Sequence, residues 1–108
     1  MSLRPIEFHI LLALAGEERH GYAILQEVNA LTDGELQLEP GTLYRALHRM
    51  LKDGWLVESA RRPAADVDDE RRKYYRITPL GRRLATAEAD RLWRLVAAAR
   101  SVRLLSRA

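Results

Sequence analysis

Apolar residues dominate the stretch from Ile6 to Leu14 (IEFHILLAL) and leave almost no polar face. At about 100° per residue, Ile6, Ile10 and Leu14 fall on one side of a helix and Phe8 and Leu12 on the other. Such a helix has to be covered on two sides, and the second cover is either the chain's own interior or a second copy of the chain. Gly16 fits a C-terminal cap, and the polar turn Glu17-Glu18-Arg19-His20 leads to a second helix from Gly21 to Thr32. Its inward face is expected to be Tyr22, Leu25, Val28 and Leu31, with Ile24 beside it, until Asp33-Gly34 breaks the helix.

Pro40-Gly41-Thr42 opens a third helix, with proline in the first turn and Thr42 able to cap, and Gly54 stops it after Asp53. Leu43, Leu47, Met50 and Leu51 gather on one face, and Thr42, Arg45, His48, Arg49 and Lys52 on the other. Beyond Gly54 the period shortens. Trp55 to Glu58 and Lys73 to Thr78 carry the aromatic and β-branched residues of strands. The loop between them has basic stems (Arg61, Arg62, Arg71, Arg72, Lys73) and an acidic tip (Asp66, Asp68, Asp69, Glu70), which reads as a long β-hairpin. From Pro79 a helix of about 25 residues is expected, striped by Leu84, Ala85, Leu92, Leu95, Val96, Ala99 and Val102. It is too long for a domain this small to cover, so pairing with the same helix of a second copy is the economical inference.

Composition narrows the function classes. The 108 residues fit one domain and contain no cysteine, which removes disulfides, thiolate nucleophiles and cysteine-based zinc sites. His9, His20 and His48 are too scattered for a metal cluster, and neither a phosphate-cradling glycine loop nor a catalytic carboxylate pair occurs. No enzymatic activity, metal or cofactor is therefore expected. With no apolar run long enough for a membrane span and no secretory pattern, a cytoplasmic protein is expected. The net charge of +3 hides an asymmetry: up to Gly54 there are 5 basic and 8 acidic residues, and after it 13 and 7. Concentrated basicity, with 16 arginines against 2 lysines, suits phosphate backbones and guanine edges.

Three helices, a small hairpin and a further helix form a mainly α layout, that of a winged helix-turn-helix. Residues 1–78 would be the DNA-binding domain and 79–108 a C-terminal dimerisation helix packed on it. The major groove admits a helix, so the third helix would read duplex DNA, with Thr42, Arg45, His48 and Arg49 at base edges and Lys52 on phosphate. Tyr44 is read as half core and half phosphate ligand. The hairpin would be a wing, with Arg61, Arg62, Arg71, Arg72 and Lys73 facing phosphates or the minor groove. The bland reading of any one of these cations is a solvated charge paired with the acidic tip.

Several stretches resemble one family in order and spacing: His20-Gly21-Tyr22, Pro40-Gly41-Thr42-Leu43-Tyr44 with Leu47, Gly54-Trp55-Leu56, and the run from Arg72 to Gly81. On these residues, within a likeness that covers positions 6 to about 96, the chain resembles the PadR family of transcriptional regulators. Arg45 departs from the pattern, since many relatives carry proline after the tyrosine. The resemblance implies a homodimer built through the last helix and the first, on an inverted-repeat operator, usually acting as a repressor. The dimerisation candidates are Ile6, Phe8, Leu12, Leu84, Leu92, Leu95, Val96, Ala99 and Val102. The resemblance also implies that some members answer to small aromatic effectors near the dimer interface. Trp93, at the edge of the last stripe, either packs in that interface or stacks on such a ligand. The rival reading is a winged helix that meets an acidic protein partner instead of DNA.

Overall fold

In the computed structural model, residues 3–59 and 73–106 are described. Helix α1 spans Pro5–Gly16, strand β1 Arg19–His20, α2 Gly21–Leu31, α3 Pro40–Lys52, β2 Leu56–Glu58, β3 Tyr74–Ile77 and α4 Pro79–Ser101. The expected helices and hairpin strands all form, with ends within two residues of those predicted. The polar turn before α2 does more than expected. Arg19 and His20 pair antiparallel with Tyr75 and Tyr74, so the hairpin becomes a three-stranded sheet in the order β1-β3-β2. On the other side of β3, Leu56 faces Ile77 and Glu58 faces Tyr75.

The apolar run of α1 is explained by position, because this helix packs against α2, α3, α4 and β3 at once. Ile10, Leu11, Ala13 and Leu14 are buried, Ile6 and Phe8 are half-buried against the same core, and Leu12 stays exposed. The chain's own elements thus supply most of the second cover. Ile24 and Val28 of α2, Leu43, Ala46, Leu47 and Met50 of α3, and Trp55, Leu56 and Tyr75 of the sheet complete the core.

Two expectations for α2 need correction. Tyr22 is 62% exposed and Leu31 44% exposed. Tyr22 lies about 160° around the wheel from Ile24, so it faces away once Gly21, Ile24 and Val28 define the buried stripe. Leu31 shares the stripe but is the helix's last residue, beyond the surface that covers Ile24 and Val28. Thr42 is not the cap of α3 either: Glu39 occupies that position with Pro40 following it.

Three helices end in the same geometry. After α3, Gly54 (φ 81°) donates its N–H to Leu51 and Trp55 donates to Met50 at 2.9 Å. This double closure satisfies carbonyls that a helix end leaves orphaned, and the left-handed residue it requires favours glycine. Asp33 (φ 53°) and Arg103 (φ 63°) take the equivalent positions after α2 and α4. The turn at Gly54 aims the chain directly into β2.

Helix α4 is anchored at its start and overhangs at its end. The Thr78 hydroxyl accepts from Gly81 N–H at 3.0 Å and donates to Gly54 O at 2.7 Å. Gly81 is buried, and a Cβ there would run into the Trp55 carbonyl oxygen. Arg82 ties the helix to α1 through the Ala15 carbonyl at 3.0 Å. Leu84 and Ala85 rest on the core, whereas Trp93, Leu95, Val96 and Val102 are exposed. The resulting shape is long, 54 × 27 × 22 Å.

Candidate nucleic-acid interface

The division of α3 into two faces is nearly complete. Leu43, Ala46, Leu47 and Met50 are each at most 1% exposed, with Leu51 half-buried beside them. Thr42, Arg45, His48 and Lys52 are exposed on the opposite side, and Arg49 is half-buried at its edge. Burying four side chains fixes the rotation of α3 about its axis, and that rotation alone decides which residues point outward. Tyr44, Arg45, His48 and Arg49 line one shallow hollow on this face.

Within it, Arg45 donates to the Thr42 hydroxyl at 3.3 Å, an arrangement that steers the guanidinium along the first turn of the helix. Arg45 and Lys52 form no ion pair among the described residues, so their charge is available to an anionic partner. Tyr44 is 42% exposed, and its ring leans on the start of α2: a Cβ on Gly21 would stand 2.5 Å from the Tyr44 hydroxyl. Its ring thus lies between α3 and the start of α2 with part of it left in solvent, outside the buried core cluster.

Arg49 differs from its neighbours. Its Nη2 lies 3.9 Å from Oε2 of Glu7 on α1, and Glu7 is 6% exposed. The other oxygen of that carboxylate accepts from the Arg4 backbone N–H at 2.8 Å and so serves the N-terminus of α1. Sequence reasoning passed over Glu7; its signal was the one acidic side chain inside an otherwise apolar run. Arg76 was also passed over as a site candidate. It is exposed on β3 between buried Tyr75 and half-buried Ile77, an alternation that the strand period makes readable.

Of the wing candidates, Lys73 is described. Its Nζ pairs with Glu58 at 3.3 Å across the hairpin, both side chains being at least half exposed. Such a pair is worth little in water and gives way to a phosphate easily. Arg61, Arg62, Arg71 and Arg72 lie outside the described residues. The dimerisation candidates divide into three groups: Ile6, Phe8 and Leu84 already contact the chain's core, Leu92 and Ala99 are half-buried, and Leu12, Leu95, Val96 and Val102 are open. Trp93 is open as well, 62% exposed on the overhang. On the sheet, burial pushes the Tyr75 hydroxyl above its ordinary pKa, with Tyr44 and Glu58 adding to the shift. Among the described residues no cluster of side chains suits a metal ion, and no helix is long and apolar enough to cross a membrane.

Comparison with known proteins matches this geometry. Residues 10–87 match the Transcriptional regulator PadR-like family. The chain is 40% identical over 83 residues to the transcriptional regulator Rv3488 of Mycobacterium tuberculosis, covering 77% of this chain and 71% of that protein. The crystal structure of a PadR-like transcriptional regulator from Bacillus cereus superposes with a TM-score of 0.69 at 26% identity, covering 94% of this chain and 92% of the other. Bacillus subtilis PadR, in complex with operator DNA, shares the fold at a TM-score of 0.67 and 17% identity, over 80% of this chain and 47% of that one.

Proposed function

We propose, since the chain belongs to the PadR-like family of transcriptional regulators, that it binds a double-stranded DNA operator through the exposed face of α3 and does so as a homodimer. A family of regulators is not one of enzymes, in keeping with the absence of catalytic constellations in the sequence. The observation that carries the proposal is the two-faced α3, with four core residues behind and Thr42, Arg45, His48 and Lys52 in front. Arg45 is suited to guanine O6 and N7, His48 to a base edge or phosphate, and Lys52 to phosphate alone. Arg49 and Tyr44 border the same surface. Lys73 and the arginines at 61, 62, 71 and 72 are assigned to the flanking backbone as a wing.

The partner copy is assigned to the open face of α4, where Leu95, Val96 and Val102 need cover, with Leu12 of α1 contributing. A two-fold dimer presents two reading helices related by symmetry, so the operator is an inverted repeat. Occupying that repeat would block transcription, and a flat aromatic effector seated against Trp93 would relieve the block by altering the dimer.

Selection of bound sequences from a random duplex pool by the purified protein tests this reading. The expected product is an inverted repeat whose half-sites lie about one helical turn apart. Recovery of no preferred sequence at moderate salt would favour an acidic protein as the partner of the basic face.

A further inference from the structure

We propose that Glu7 is a positioning residue for the reading face: its buried carboxylate holds Arg49 from behind by charge and fixes the orientation in which that guanidinium meets a duplex. The inference rests on the reading of α3 as the DNA-reading helix. Glu7 and Ser59 are the buried polar residues among those described, and a buried carboxylate is costly unless it is compensated. Half of the compensation is local, through the 2.8 Å hydrogen bond from Arg4 N–H at the start of α1. A helix start needs no more than that. The second oxygen lies 3.9 Å from Arg49 Nη2, too far for a hydrogen bond but well within Coulombic reach of a partly desolvated group.

The other end of Arg49 is on the surface. Its side chain is 41% exposed and shares the hollow lined by Tyr44, Arg45 and His48. A guanidinium has five donors, so one nitrogen can be directed at Glu7 while the others remain for a base edge. Two effects follow. Arg49 loses rotamer freedom before it meets DNA, which lowers the ordering cost of a specific contact. The negative charge beneath it also reduces attraction to phosphate in general, and discrimination improves when the background weakens. Among the described residues Arg45, His48 and Lys52 form no ion pair with a carboxylate, so the device singles out one member of the basic face. Glu7 also precedes residues 10–87, the stretch matched to the family.

The test is Glu7→Gln in the full chain, which keeps an acceptor for Arg4 N–H and replaces the oxygen facing Arg49 by an uncharged amide NH2. Fluorescence anisotropy is measured on two probes, the duplex enriched by the wild-type protein from a random pool and a random-sequence duplex of equal length. The expected result is random-duplex binding about two- to threefold tighter, as befits one less negative charge, with the selected-to-random ratio reduced about tenfold. In an Arg49→Ala background the same substitution is expected to leave the ratio alone. An unchanged ratio for Glu7→Gln, or an equal loss without Arg49, overturns the proposal. Should Glu7→Gln not fold, Arg49→Lys decides: it keeps the cation but not the planar fork, and an undiminished ratio would equally overturn it. A wild-type protein that binds both duplexes alike would instead remove the DNA-reading function itself.

Discussion

At the scale of single residues, the positions with most consequence are those where an atom has nowhere else to go. Gly81 touches the Trp55 carbonyl, and backbone cannot step aside as a flexible side chain can. Gly81→Ala is therefore expected to destabilise the fold by about 2 kcal/mol or more, read as a lower midpoint in urea unfolding. Lys52 and His48 make the opposite kind of prediction, because both are exposed and neither supports the core. Lys52→Ala is expected to weaken binding to all duplexes similarly and to lower the salt slope by about 1, whereas His48→Ala should cost about 1 kcal/mol or more on the selected duplex only. Matched titrations on selected and random DNA separate the two. Tyr75 gives a pH dependence. Its pKa is raised by burial, so the folded state holds its proton more tightly than the unfolded chain does. Its contribution is full below the ordinary tyrosine value of about 10 and declines as pH rises from there through the raised value. Chemical denaturation at alkaline pH should show this decline in the wild type and a flatter profile in Tyr75→Phe.

At the scale of elements, most of the chain was legible and the exceptions have causes. The 3.6-residue period exposed α2, α3 and α4 and an unbroken apolar run exposed α1, and the glycine at 54 marked the end of α3 because the closing turn needs a left-handed residue there. Gly54→Ala is expected to cost about 1 to 2 kcal/mol by calorimetry, the strain of placing a Cβ at φ 81°. The two-residue β1 could not be read from periodicity, since two residues have no period; its pairing depends on β3, more than fifty positions away. Leu31 is exposed for a similar reason, since a helical wheel states which residues share a face but not where along the axis the neighbours stop covering it. Tyr22, in contrast, is exposed because packing centred the buried stripe on Ile24 and Val28. For the candidate site, the front of α3 was legible down to the residue because its back is so uniformly apolar. The tie between Glu7 and Arg49 was not, since it joins two helices 42 positions apart and no local pattern encodes it.

At the scale of the whole molecule, the overhang of α4 dominates. Helix α4 has 23 residues, about 35 Å in length, and its second half carries Trp93, Leu95 and Val96, with Val102 at the cap, out where little of the chain covers them. A Leu95→Glu, Val96→Glu double variant is expected to sediment as a folded monomer where the wild type sediments as a dimer, and to lose operator affinity because two half-sites no longer bind as one unit. A wild type that is monomeric at micromolar concentration would overturn the assigned interface.

The amino-acid sequence alone determined the helices, the strands of the hairpin, the two faces of α3 and the ordered set of residues shared with the PadR-like family, because each depends on neighbours within a few turns of chain. Only the tertiary structure decided that α1 is covered mainly by its own chain, that β1 completes a sheet, that Gly81 is locked against Trp55 and that Arg49 is held from behind by Glu7. These depend on distances between segments far apart in sequence, which are fixed when the buried stripes of several elements are satisfied together and not by any one of them.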